Sequence, residues 1–255
     1  MEKYELPLVI FTLLSQTSVG MSLVLTWRTF KGEVEGNRIN WLITGLILGV
    51  ASIAAVLHLA HPMYAYNALR NLQHAWLSRE ILGATLYGAA IGVTFLAKGH
   101  KVPALIASIL GVLLVAVQGM TYAAPAMMAI ANGVTMLFFF LTVWVMGCAA
   151  IPLLKMNALV PSLRQGILMF IIAMVVAPLV WTSGGTIMQM TAQTWFTSPL
   201  YLASLACFVV AFVLTHKKPQ MLKSTVALML VAVFLSRLTF FGDTISSIVN
   251  IGHLY

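Results

Sequence analysis

The stretch LPLVIFTLLSQTSVGMSLVLTW, from Leu6 to Trp27, decides the fold: it carries no charged side chain and no regular alternation of apolar with polar residues. As a helix rising about 1.5 Å per residue, it is long enough to cross the roughly 30 Å hydrocarbon core of a bilayer. A strand reading fails, because a lipid-facing strand alternates in character. A helix satisfies its own backbone hydrogen bonds and is the default spanning element in lipid. Further runs of the same kind lie at Trp41–Leu59, Trp76–Ala97, Val102–Tyr122, Ala131–Leu154, Gly166–Met188, Leu200–Thr215 and Ser224–Gly242. The expected fold is all-α: a polytopic membrane bundle of eight transmembrane helices, forming a single integral membrane domain over residues 1–255.

Composition agrees. Of the 255 residues, 61% are hydrophobic and 8% charged, against about 45–50% and about 25% in a soluble domain. Such a polypeptide cannot cover a water-facing surface. Disordered, collagen-like, coiled-coil and disulfide-scaffold classes are excluded by the same figures. The net charge of +8 reads as basic cytoplasmic loops rather than as a nucleic-acid surface. Cys148 and Cys207 both sit in apolar runs, and without a C-x-x-C the sequence offers no iron–sulfur cluster and no structural zinc site. The opening Met1-Glu2-Lys3-Tyr4-Glu5 lacks the basic start of a cleaved signal peptide, so Leu6–Trp27 reads as the first span.

The basic residues set the orientation. Ten of the fourteen lysines and arginines fall in alternate loops: Arg28, Lys31 and Arg38; Lys98 and Lys101; Lys155 and Arg164; Lys217, Lys218 and Lys223. The loops and ends on the other side hold only Lys3 and Arg70. By the positive-inside rule the lysine-rich loops are cytoplasmic and both termini lie on the outer, periplasmic face.

Charges within spans are costly, at about 2.5–3.5 kcal/mol each on insertion scales, and persist where they are paired or face a functional cavity. Here they are Arg79, Glu80 and Arg237, with Asp243 at the end of the last span and His58 and His61 at the end of the second. From the cytoplasmic starts of their spans, His58 lies roughly 26 Å up and Arg237 roughly 20 Å up, while Arg79 and Glu80 lie about one turn below the outer surface. All of them fall in the outer half. One reading is structural: Glu80 and Arg237 pair to fix helix packing, Arg79 reaches for headgroups, and His58 closes a helix end. The other is a polar cavity that opens near the outer surface, and the one-sided clustering favours it. Pro178 and Gly184-Gly185 mark a possible break in the sixth span. Transport is disfavoured, because no inverted repeat and no acidic relay through the inner half is found. So is haem, because His58 and His61 share one short segment and cannot face each other across the bundle.

These residues carry a family resemblance. Leu6–Thr12 with Gln16, the segment from Leu57 to Leu69 (LHLAHPMYAYNAL), Ser78-Arg79-Glu80-Ile81, and Ser236-Arg237 followed by Phe240-Phe241-Gly242 resemble the DmsC-type membrane anchor of dimethyl sulfoxide reductase. The resemblance covers most of the sequence. It implies a three-part enzyme of the bacterial inner membrane, whose molybdenum-cofactor catalytic subunit and iron–sulfur electron-transfer subunit sit on the outer face. The anchor binds menaquinol, holds no haem, no iron–sulfur cluster and no molybdenum of its own, and passes electrons outward. The terminal reduction belongs to the partner.

A quinol site needs proton acceptors, an apolar slot and a nearby redox centre. His58 is the first candidate to bond a quinol hydroxyl. Glu80 is expected to take the proton onward to outside water. Arg237 either holds Glu80 ionised or stabilises an anion formed midway through oxidation. Arg79 and Asp243 suit the rim or subunit docking equally, and Gln16 is a candidate for a polar lining at mid-depth. The alternative function is a passive tether or assembly scaffold without a quinol site.

Overall fold

The computed structural model describes residues 4–33, 38–57, 62–217 and 222–247. Among them every regular element is helical. In order these are α1 (Leu6–Phe30), α2 (Arg38–Leu57), α3 (Trp76–Leu96), α4 (Lys101–Tyr122), α5 (Gly133–Ala150), α6 (Val160–Trp181), α7 (Thr186–Thr197), α8 (Pro199–Lys217) and α9 (Leu222–Gly242), with 3₁₀ segments at Pro62–Asn71 and Ile151–Leu154. Seven of them are long and apolar enough to cross a membrane: α1, α2, α4, α5 with its 3₁₀ extension, α6, α8 and α9. Helix α3 is 21 residues long, but Arg79 and Glu80 near its start lower its apolar content.

The sixth expected span, Gly166–Met188, needs correction. Helix α6 begins at Val160 and stops at Trp181, with Pro178 inside it. The hydroxyls of Thr182 and Ser183 donate to the carbonyls of Leu179 and Val180 at 2.6 and 2.8 Å, satisfying acceptors that a helix end leaves open. The backbone turns through Gly184-Gly185, and Ile187 and Met188 belong to α7. That helix has 12 residues and is about 18 Å long, too short to span. The fifth span begins at Gly133 rather than Ala131, because Asn132 caps it by accepting the Val134 N–H at 2.9 Å on its side-chain oxygen. His58 and His61, expected at the end of α2, lie outside the described residues.

The bundle is built around α1 and α5, whose spans are 72% buried, against 28% for the peripheral α2 and α8. Side chains such as Leu46, Ile53 and Val93 face outward, while the buried face of α1 carries Ser15, Gln16, Thr17, Ser18, Ser22 and Thr26. This inversion follows from the solvent. Lipid is as apolar as leucine, so helices associate through close packing and interhelical hydrogen bonds. Gly20 of α1 meets Gly147 of α5 so closely that a Cβ on Gly20 would stand 2.2 Å from the Val143 carbonyl oxygen. The Ser18 hydroxyl donates to the Thr44 carbonyl at 2.9 Å and lies 3.1 Å from the Tyr87 hydroxyl, and Thr26 donates to the Ala104 carbonyl at 3.0 Å. These bonds tie α1 to α2, α3 and α4.

Neighbouring helices run antiparallel. Arg38 at the start of α2 donates to Leu96 at the end of α3 at 3.4 Å, and Arg164 early in α6 donates to Thr215 late in α8 at 2.6 Å. The start of α1, the ends of α2, α4 and α9, and the start of α3 therefore share one end of the bundle, the Leu6 end.

Candidate functional site

At the Leu6 end, four helices enclose a cavity of about 430 Å³. Its walls are Leu8 and Phe11 of α1, Ser52, Ala55 and Val56 of α2, Leu77, Glu80, Ile81, Ala84 and Thr85 of α3, and Thr121 and Tyr122 of α4. The hydroxyls of Ser52, Thr85 and Thr121 are each bonded to a carbonyl one turn back in their own helices, at 2.8–2.9 Å, so the wall is effectively apolar. Val56 and Leu77, exposed at 41% and 50%, form a rim on the outer flank between α2 and α3.

Glu80 and the Tyr122 hydroxyl, which interacts with it, are the exceptions in this wall. Glu80 is 2% exposed, and neither carboxyl oxygen makes a hydrogen bond. The polar side chains facing it are Thr121, Tyr122 and Gln118. A buried polar group without a partner costs stability and calls for an explanation.

Arg237, on α9, is also 2% exposed. Its Nη2 donates to Gln16 Oε1 at 2.6 Å and to Thr142 Oγ1 at 2.7 Å. The guanidinium carbon lies 4.2 Å from the centroid of the Phe139 ring and 5.9 Å from that of Phe240. Among the described residues no carboxylate reaches it, so the direct Glu80–Arg237 pair considered from the sequence is not formed. Tyr122 is in interaction range of both, with its ring 5.8 Å from Phe139 and 5.5 Å from Phe241. Gln16 donates onward from Nε2 to Gln118 Oε1 at 3.2 Å, and Gln118 donates to Ser15 Oγ at 3.0 Å.

The remaining candidates stand apart. Arg79 donates to the carbonyls of Leu72 at 2.9 Å and Gln73 at 2.7 Å, with its guanidinium carbon 4.3 Å from the Trp76 ring centroid. It fastens the loop before α3 and does not line the cavity. Asp243 accepts from Ser198 Oγ at 2.5 Å, joining the end of α9 to the start of α8. His58 lies outside the described residues, immediately after Leu57, the last residue of α2.

The family model for the DMSO reductase anchor subunit (DmsC) matches residues 1–243. The chain belongs to the DmsC family. Two relatives are similar over shorter stretches. The anaerobic dimethyl sulfoxide reductase protein YnfH of Escherichia coli (strain K12) is 34% identical over 156 residues, covering 56% of this chain and 55% of that protein. An anaerobic dimethyl sulfoxide reductase polypeptide of Haemophilus influenzae is 30% identical over 153 residues, covering 55% of this chain and 54% of that protein. The chain spans about half the length of the curated relatives it matches.

The family resemblance drawn from Leu6–Thr12, Leu57–Leu69, Ser78–Ile81 and Ser236–Gly242 is thereby confirmed. Within this DmsC-family bundle the structure joins Gln16 to Arg237 and gives Glu80 a cavity. It also adds Gln118, Tyr122, Thr142 and Phe139, which the sequence did not single out. Each is an uncharged residue inside a long apolar run, and only the folded contacts separate it from its neighbours.

Proposed function

We propose that this DmsC-family protein is the membrane anchor and quinol-oxidising subunit of a molybdenum reductase of the dimethyl sulfoxide reductase type. Its partners are an iron–sulfur electron-transfer subunit and a molybdenum-cofactor catalytic subunit. One observation carries the reading: Glu80 is buried, lacks a hydrogen bond, and sits in the wall of an otherwise apolar cavity.

The fit is chemical. A menaquinol is an apolar ring system with two hydroxyl donors, and a carboxylate is an acceptor that lacks a donor. The cavity, at about 430 Å³, falls within the roughly 300–1,000 Å³ of small-molecule sites. When bound, menaquinol supplies two electrons and two protons. Glu80 accepts a hydroxyl proton. Leu8, Phe11, Ile81 and Ala84 exclude water from the ring, and the rim at Val56 and Leu77 lets an isoprenoid tail leave sideways into lipid. His58, which follows Leu57 in sequence and lies outside the described residues, is the sequence's candidate for the second hydroxyl.

The lysine and arginine distribution assigns the Leu6 end to the periplasmic side of the bacterial inner membrane, with α3 as the eighth span. Protons and electrons then leave on the same side, and turnover moves no net charge across the membrane. A potential-sensitive dye in vesicles supplied with quinol and terminal acceptor checks this: no potential develops on turnover.

The direct test uses Glu80→Lys and His58→Arg in the assembled complex. Either substitution is expected to abolish quinol-driven reduction while a soluble reduced dye still drives the catalytic subunit. Loss of both activities would instead mark an assembly scaffold.

A further inference from the structure

We propose that Arg237 is a positioning residue: it sets the direction of a relay of two glutamine amides, so that Gln118 turns an N–H, not a carbonyl oxygen, toward Glu80. Only the kinetic consequence rests on the quinol reading of the cavity.

A guanidinium can only donate. Gln16 must therefore turn its Oε1 to Arg237, and does so at 2.6 Å. Its amide then has only N–H groups left, and Nε2 donates to Gln118 Oε1 at 3.2 Å. With that oxygen turned toward Gln16, the Gln118 amide presents its two N–H groups on the other side. One goes to Ser15 Oγ at 3.0 Å. The other remains on the side chain that faces Glu80. Gln118 lies about one helical turn before Thr121 and Tyr122, the α4 residues of the cavity wall.

No water competes at these links, because Ser15, Gln16 and Gln118 are all fully buried. Reversing either amide would set oxygen against oxygen or N–H against N–H, so the orientation is fixed from its donor-only end. Arg237 cannot swing to Glu80 instead. Thr142 holds Nη2 at 2.7 Å, and the Phe139 ring packs against the guanidinium. The cation thus acts on the carboxyl through α1 and α4 rather than by contact.

The experiment is a variant cycle in the assembled complex in native membranes. It combines menadiol oxidation with the infrared carboxyl band of Glu80, identified by its loss in Glu80→Gln. Arg237→Gln allows the relay to reverse, since glutamine can offer either group. Gln118→Leu removes its last link. Each is expected to lower kcat roughly tenfold, the scale of one donor that reaches Glu80 only during turnover, with little change in KM, and to move the Glu80 band alike. The double variant should be no worse than either single one. Arg237→Lys, also donor-only, should recover most of the rate and return the band toward its native position.

Multiplying effects in the double variant, an unmoved band in Arg237→Gln, or Arg237→Lys as damaging as Arg237→Gln would overturn the proposal. If the Arg237 variants fail to assemble, as read by dye-driven activity, the cycle of Gln16→Leu with Gln118→Leu decides by the same criterion. If the native complex oxidises no menadiol, the quinol reading falls while the infrared pattern still tests the relay.

Discussion

Two cavities of nearly equal size sit in different parts of this bundle. The Glu80 cavity at the Leu6 end measures about 430 Å³. A second, of about 410 Å³, is lined by Gly20, Leu23, Val24 and Trp27 of α1, Phe140, Val143, Trp144 and Cys148 of α5, and Leu159 and Ser162. Both are apolar, and both lie between packed helices. They differ in how their polar atoms are satisfied. In the second, Trp144 Nε1 donates to Ser162 Oγ at 2.9 Å, and Cys148 Sγ lies 3.5 Å from the same oxygen. In the first, both oxygens of Glu80 are left without a bond. An unsatisfied carboxyl needs a donor, and on the proposed reading this need is what distinguishes the first cavity from the second.

Substitutions in the two cavities sharpen the contrast. The largest effect is expected from Glu80→Gln, which removes the proposed proton acceptor without changing shape: quinol-driven reduction should fall by about a hundredfold or more, measured beside unchanged dye-driven reduction. Ala84→Phe keeps the carboxyl but fills the slot with a ring. It should raise the KM for menadiol several-fold, whereas Val24→Phe, a comparable filling of the second cavity, should leave menadiol oxidation as it is. The smallest effect belongs to Ser162→Ala, which leaves the Trp144 N–H without its partner. It should lower stability by about 1 kcal/mol, read as a lower melting temperature, with quinol oxidation untouched. If Val24→Phe or Ser162→Ala impaired quinol oxidation as strongly as Glu80→Gln, the two cavities would have to exchange roles.

Much of this was legible in the sequence, for identifiable reasons. Long uncharged runs are a strong signal, and they located the helices of the bundle to within a few residues. The exception was the run through Met188. Apolarity continues across Thr182–Gly185, and the break is made by hydroxyl-to-carbonyl bonds at Leu179 and Val180 that hydropathy does not register. Glu80 was found because a charge inside a span is rare. Arg237 was found for the same reason, but its partners were not. The sequence offered Glu80 as its counter-ion, while the fold supplies Gln16 and Thr142. Gln118 and Tyr122 carry no charge and follow no periodicity, so nothing marks them until α4 packs against α3 and α1. Arg79 shows the converse: a charge beside Glu80 in sequence, yet turned to the loop carbonyls of Leu72 and Gln73.

The central claim is that an unbonded carboxyl, not cavity size, makes the binding site. Equilibrium binding of a short-tailed naphthoquinol, kept reduced under anaerobic conditions, to the purified complex tests it most directly. The native complex and Ser162→Ala should bind alike, and Glu80→Gln should bind about tenfold more weakly or worse, the loss of one charge-assisted hydrogen bond. Native-like binding by Glu80→Gln, or loss of binding in Ser162→Ala, would contradict it.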